Sequence, residues 1–297
     1  MTTIKNDMWG DVATAIAKET KTSFVLHSES NISGGCINDA RRLESANGEV
    51  YFAKANSADF LRLFEAEAKA LEEIASTRTV RVPAPICHGV SGNRSFLVLE
   101  FLDTGRDGGS AQRKLGQDLA HLHRIEKPHF GWKIDNAIGA THQPNPASDD
   151  WIEFYREHRL VHQFDLAKKK GQSFQGVELL LERLPNFFSE YKPIPSLLHG
   201  DLWGGNFACD TEGQPYVFDP ASYYGDREAD MAFTYMFGGF SKEFYKGYEE
   251  IFPLDPGFGI RKTLYNLYHE LNHYNLFGGG YARSAQSSIN HLLAYSP

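Results

Sequence analysis

Asp201, Asn206 and Asp219 are the residues with which this chain could do chemistry. Asp201 and Asn206 belong to the segment Leu197-Leu198-His199-Gly200-Asp201-Leu202-Trp203-Gly204-Gly205-Asn206, an apolar pair followed by a loop that two glycines allow to fold tightly. Asp219 ends the apolar run Tyr216-Val217-Phe218, after the turn Asp210-Thr211-Glu212-Gly213. Phosphoryl transfer to a hydroxyl calls for an aspartate that accepts the hydroxyl proton. It also calls for an asparagine a short loop downstream, and a second aspartate, to hold Mg²⁺. His199-Gly200-Asp201-Leu202-x-x-x-Asn206 has that spacing, and Asp219-Pro220 stands where the second metal carboxylate should be. A turn rich in Asp, Gly and Asn between buried strands would account for each residue singly. The set, with its flanking strands, points to phosphoryl transfer.

Such a site needs a phosphate clamp upstream. Residues 7–19 read as an opening helix, and Phe24-Val25-Leu26-His27 as a strand. The small-residue loop Ser30 to Asn38, with Gly34, Gly35 and Cys36, leads to Arg41-Arg42-Leu43-Glu44 and the hairpin signal Asn47-Gly48. The return strand Glu49 to Lys54 completes a strand, glycine loop, strand, turn and strand. That order can put backbone N–H groups above the phosphates and Lys54 below them. A hairpin loop alone would also explain Gly34-Gly35. In the helix expected over 58–75, Phe60, Phe64, Leu71 and Ile74 share one face, and Glu67 falls near the middle of that stripe. A carboxylate there needs a partner, and Lys54 is the natural one. A Glu67 whose head reaches water is the alternative. Arg81-Val82-Pro83-Ala84-Pro85-Ile86-Cys87-His88 is extended because proline disfavours helix before it, and Phe96 to Leu99 reads as a buried strand. The chain then runs through Glu100, Phe101 and Leu102, a hinge whose backbone groups could meet an adenine edge.

From Ser110 the pattern turns helical, with Leu115, Leu119 and Leu122 inward. His121 and His123 are expected at the surface or as caps. Residues 131–149 read as a long polar connection. Further helices are expected from Asp150, over 177–188, 227–240, 242–252, 261–277 and 281–295. His269, Asn272 and His273 lie on one side of theirs, where a histidine is more often structural. The fold class is α+β: a small antiparallel-sheet lobe, 1–101, and a mostly helical lobe, 102–297.

Composition sets the outer limits. The chain has 297 residues, 41% hydrophobic and 23% charged, with a net charge of −8. That charge argues against a nucleic-acid backbone or an anionic membrane as partner. No apolar run approaches membrane-spanning length, and the first residues lack an apolar signal core. Cys36, Cys87 and Cys209 are dispersed, without the paired spacing of a zinc site; thiols in a reducing cytoplasm are the expectation.

The chain resembles the fructosamine/ketosamine kinase family, within the wider protein-kinase-like group of aminoglycoside and choline kinases. The resemblance covers nearly the whole chain. It is carried by His199 to Asn206, Phe218-Asp219-Pro220-Ala221, Tyr224 to Asp230, Met236-Phe237-Gly238-Gly239-Phe240 and Leu271 to Gly278, with Gly34 to Asn38 and Arg81 to Pro85 upstream. The wider relatives would not usually carry Trp203-Gly204-Gly205. The resemblance implies ATP and Mg²⁺ as cofactors and a bilobal kinase-like fold. The acceptor it implies is a sugar hydroxyl of a ketosamine, either a small molecule or an adduct on a protein amine, in deglycation repair. Asp201 would be the base, Asn206 and Asp219 the metal ligands, and Lys54, steadied by Glu67, the phosphate contact. Trp203 would pack on the sugar or its amine-bearing arm, or else act as a lid over the core. By analogy Asp230 would hold the catalytic loop. An aminoglycoside- or choline-type phosphotransferase and a catalytically silent nucleotide-binding module are the alternatives. The chain is expected to be a monomer, or a dimer linked through Cys36. The thiolate of Cys36 would be favoured near backbone N–H groups and Lys54, although a small residue that merely fits the loop is the plainer account.

Overall fold

Alternation along two strands shows how the amino-terminal part is layered. On β5 (Arg94–Glu100), Phe96 and Val98 pack with one buried cluster and Leu97 and Leu99 with another, as the two-residue period of a strand requires. The computed structural model describes residues 8–32, 38–106 and 109–295, so Gly34, Gly35 and Cys36 lie outside the described residues. Strands β1 (Leu26–Asn31), β2 (Asp39–Ser45), β3 (Val50–Ser57), β4 (Pro85–Ser91) and β5 form an antiparallel sheet in the order β1-β2-β3-β5-β4. Helix α1 (Met8–Thr20) covers one face with Trp9, Val12, Ala13 and Ile16, against Phe24, Leu43, Ala53 and Ala55. Phe24, expected in the first strand, is a core residue just before it.

Helix α2 (Leu61–Thr77), entered through a 3₁₀ turn at Ala58–Phe60, covers the other face with Phe64, Leu71 and Ile74. Each fully buried side chain of this kind contributes about 1.5–3 kcal/mol, so the stripe is enough to dock α2. It does not fix where α2 points along the sheet, because apolar contact is non-directional. The cluster under α2 continues without a break into the helical half of the chain.

That half contains α3 (Gly109–Leu122), the hairpin β6 (Asn136–Ile138) and β7 (Thr141–Gln143), α4 (Trp151–Tyr155), α5 (His162–Lys169) and α6 (Val177–Arg183). Short strands β8 (Ser196–Leu197), β9 (Phe207–Cys209), β10 (Pro215–Val217) and β11 (Tyr224–Gly225) follow, then α7 (Arg227–Phe233), α8 (Lys242–Ile251), α9 (Phe258–Phe277) and α10 (Tyr281–Ala294). Strand β9 pairs with β10 and β8 with β11. Three expectations need correction. Residues 131–149 are not a plain connection, since β6 and β7 lie within them. The helix expected over 227–240 stops at Phe233, and Phe237, Gly238 and Gly239 then take φ of 54°, 99° and 71°, which no helix accommodates. His123 is neither a cap nor at the surface: it is fully buried against Tyr248 and Asp230.

Candidate active site

Strand β3 and helix α2 bring Lys54 and Glu67 together as expected. The Lys54 ammonium donates to Glu67 Oε1 at 2.7 Å and to Asp219 Oδ1 at 2.5 Å. Burial alone would lower its pKa; the charges of Asp219 and then Glu67 outweigh that and hold it above the ordinary lysine range. Lys54 is therefore a fixed cation. Burial pushes the Glu67 carboxyl up, and Lys54 opposes that shift.

Asp201 lies across from this pair. Asn206 donates from Nδ2 to the Asp201 backbone carbonyl at 2.8 Å and to Asp201 Oδ2 at 3.1 Å. Burial, and then the nearby charge of Asp219, push the Asp201 carboxyl well above the usual carboxylate range, with the Asn206 bond working against them. Raised basicity and a fixed carboxylate oxygen are what a proton acceptor needs. Asn206 spends its amide nitrogen on Asp201, so its carbonyl oxygen is the atom a cation would take. Together with a carboxylate oxygen of Asp219 it offers hard oxygen donors, the set that suits Mg²⁺ completed by phosphate oxygens. Among the described residues no group of His, Cys, Asp and Glu side chains forms a metal cage without such help.

The backbone of the loop is held from behind. The Asp230 carboxylate accepts from His199 N at 2.7 Å, Gly200 N at 2.8 Å and His123 Nε2 at 3.2 Å. His199 donates from Nε2 to the Phe218 carbonyl at 3.1 Å and accepts the Asp201 amide at Nδ1 at 3.2 Å. One neutral tautomer satisfies both bonds, and burial keeps the ring neutral. Gly200 has φ 84°, and a Cβ there would lie 2.1 Å from the Ala221 carbonyl oxygen. The loop therefore admits only glycine between His199 and Asp201. Asp219 itself has φ 58°, a conformation costing a non-glycine residue about 1–3 kcal/mol.

Asp201, Asp219, Lys54 and Glu67 line one cavity of about 160 Å³, with Phe64 and the hairpin residues Asn136, Ala137 and Gly139. Sequence reasoning missed the hairpin. Its one signal was Gly139 between short apolar stretches. The hairpin is bonded to the segment after Asp219: Asn136 Nδ2 donates to the Ser222 carbonyl at 2.8 Å and Gln143 Nε2 to the Ala221 carbonyl at 3.1 Å. A second cavity, of about 680 Å³, lies elsewhere along α2, beside Glu73, Trp132, Lys133 and Tyr224, and includes none of the expected site residues.

Trp203 folds back over its own loop. A Cβ on Gly205 would sit 2.3 Å from the Trp203 ring, and the ring meets Phe237 edge-on with centroids 5.4 Å apart. Glu100, Phe101 and Leu102 do not line the cavity that holds Asp201. The Glu100 amide already donates to the Ala84 carbonyl at 2.7 Å, so that group is committed within the sheet. The Arg42 guanidinium lies 5.4 Å from the centre of the Phe101 ring.

The family model for fructosamine kinase matches residues 8–295. A probable ketoamine kinase of Synechocystis is 46% identical over 286 residues, 96% of this chain and 97% of that protein. A chloroplastic protein-ribulosamine 3-kinase of Oryza sativa subsp. indica is 42% identical over 282 residues, 93% of this chain and 80% of that protein. The crystal structure of a fructosamine-3-kinase candidate from Haemophilus somnus 129PT superposes with a TM-score of 0.90 at 31% identity, covering 96% of this chain and 98% of that one. Choline kinase LicA of Streptococcus pneumoniae shares the fold alone, with a TM-score of 0.61 at 14% identity over 96% of this chain and 100% of that one. The architecture is thus the α+β, bilobal, protein-kinase-like fold, and the chain belongs to the fructosamine kinase family.

Proposed function

We propose that the protein is an ATP-dependent kinase that phosphorylates a sugar hydroxyl of ketosamines, the adducts of reducing sugars on amines. The observation that carries this reading is one cavity holding Asp201 opposite the Lys54–Glu67–Asp219 chain, in a chain of the fructosamine kinase family. Asp201 accepts the acceptor's hydroxyl proton. Asn206 and Asp219 hold Mg²⁺, which when bound neutralises charge on the phosphates. Lys54 contacts the α/β-phosphates, with Glu67 fixing its ammonium. Gly34, Gly35 and Cys36 cover them, and Leu102 turns backbone groups to the adenine. The half-buried Trp203 ring, braced by Phe237, offers a flat face to the adduct. The lobe boundary falls after Phe101.

The acceptors are free ketosamines and adducts carried on protein amines, the latter a reading supported by a relative named as a protein-ribulosamine 3-kinase. The site of action is the cytoplasm, and among the described residues no helix is long and apolar enough to cross a membrane. Reversible oxidation at Cys36, including linkage of two chains, would lower activity through the glycine loop. Incubation with ATP, Mg²⁺ and a panel of fructosamine, ribulosamine, choline and aminoglycoside acceptors tests the reading. Phosphate transfer confined to the ketosamines is expected. Turnover of choline or aminoglycoside alone, or nucleotide binding without turnover of any acceptor, would overturn it.

A further inference from the structure

We infer that Glu73 is a positioning residue that ties helix α2, and through it the Lys54–Glu67 pair, to the strands from which the catalytic loop hangs. The inference rests on the functional reading above. Glu73 lies on α2 one helical stretch beyond Glu67, about 9 Å along the axis and about 240° around it. Its carboxylate accepts three bonds from outside the helix. Trp132 Nε1 donates to Oε2 at 2.9 Å, Lys133 Nζ to Oε2 at 3.0 Å, and the Tyr224 hydroxyl to Oε1 at 2.8 Å. Burial would raise its pKa, but these donors outweigh it and hold the carboxyl below the usual range, so it stays charged.

The donors sit at the root of the site. Tyr224 is in β11, opposite Leu197 in β8, and the Leu198 amide donates to the Tyr223 carbonyl at 3.0 Å. Leu198 runs directly into His199-Gly200-Asp201. The Trp132 segment is bonded to the same strand, since Gly131 and Tyr224 exchange amide–carbonyl bonds at 2.9 and 2.8 Å. Glu73 therefore grips the β8–β11 pair and the Trp132 segment beside it at once. Glu67 and Glu73 carry polar bonds from α2 to distant parts of the chain, whereas Thr77 at its end bonds to Thr79 just beyond it. Apolar packing lets a helix slide or turn at modest cost; two directional bonds on different faces do not. Glu67 meets Lys54 because Glu73 sets the rotation and height of α2.

The test is a double-mutant cycle read as KM for ATP, kcat and thermal midpoint. Glu73→Ala should raise KM for ATP about three- to tenfold, within the range of coupled neighbours, with less change in kcat. Glu73→Gln, which keeps an acceptor for Trp132 and Tyr224, should recover part of the loss. On a Glu67→Ala background, Glu73→Ala should add nothing, because its effect passes through that pair. An unchanged KM for ATP, or effects that multiply in the double variant, would overturn the inference. Should Glu73→Ala fail to fold, Tyr224→Phe and Trp132→Phe each remove one donor and should shift KM in the same direction; no shift in either would be equally decisive. Lys54→Met separates the two readings. If it leaves ATP affinity intact, the functional assignment fails; if it weakens ATP while Glu73→Ala does not, only the tie fails.

Discussion

Lys54 and Asp219 stand 165 residues apart in sequence, yet the Lys54 ammonium is 2.5 Å from Asp219 Oδ1. This contact joins the sheet to the loop after β10, and Glu67 completes it from α2. Lys54→Met should therefore act in two ways. It removes the proposed phosphate contact, and it leaves Glu67 buried without its cation. Loss of productive ATP binding, seen as a raised KM for ATP with acceptor KM unchanged, is the expected outcome. A change confined to the acceptor would place Lys54 in a different pocket.

Asp219→Ala should abolish Mg²⁺-dependent turnover, and Asn206→Ala should raise the Mg²⁺ concentration needed for half-maximal rate. The two differ because Asp219 brings a charge and Asn206 a neutral oxygen. Activity titrations against Mg²⁺ check both, and curves that overlay the parent protein's would remove these residues from the metal site.

For the base, Asp201→Asn keeps shape and the contact with Asn206 but cannot take a proton. Turnover should fall by about 10²–10⁴ while ATP affinity stays near normal. A near-normal kcat would exclude Asp201 as proton acceptor.

The contacts of Lys54 with Glu67 and of Asp201 with Asn206 are legible in the sequence because local spacing sets these residues. The stripe on α2 placed Glu67 inward, and the strand order placed Lys54 opposite it. What was not legible depends on distant segments meeting. The β6–β7 hairpin is too short to show a period, yet it supplies Asn136, Ala137 and Gly139 to the cavity. Nothing local to His123 marks it as buried, because its partners, Asp230 and Tyr248, come from α7 and α8. Trp203 shows in the sequence as an aromatic two residues after Asp201, but its ring's dependence on Gly205 and Phe237 is a matter of folded geometry.

Asp230 offers a prediction about the loop rather than the chemistry. Its carboxylate satisfies two buried amides, those of His199 and Gly200. Asp230→Ala should cost about 1–3 kcal/mol for each donor left without a partner, and should also lower kcat because the Asp201 backbone is released. Denaturation midpoints and kcat should fall together. A stable protein with slow turnover would mean that Asp230 works on the chemistry directly.

The last prediction concerns acid stability. His269 is buried on α9 and stacks on Phe233 with ring centroids 3.6 Å apart and planes 10° apart. Its Nδ1 has no hydrogen-bond partner among the described residues. Burial first, then the charges of His273 and Arg159, hold its pKa well below the ordinary histidine value of about 6.5. Unfolding returns it to that value, so below it the unfolded chain binds a proton that the folded chain refuses. Stability from this group is therefore lost as pH falls through the unfolded pKa. Buried carboxyls with raised pKa, such as Asp201 and Glu67, act with the opposite sign, so the total slope does not isolate the histidine; a difference between two proteins does. Between about pH 7.5 and about pH 5, His269→Gln should lose stability less steeply than the parent, by up to about 1.4 kcal/mol per pH unit below the unfolded pKa. Urea unfolding of both proteins across that range measures it. Parallel curves would show that His269 either titrates normally in the folded protein or stays neutral in both states.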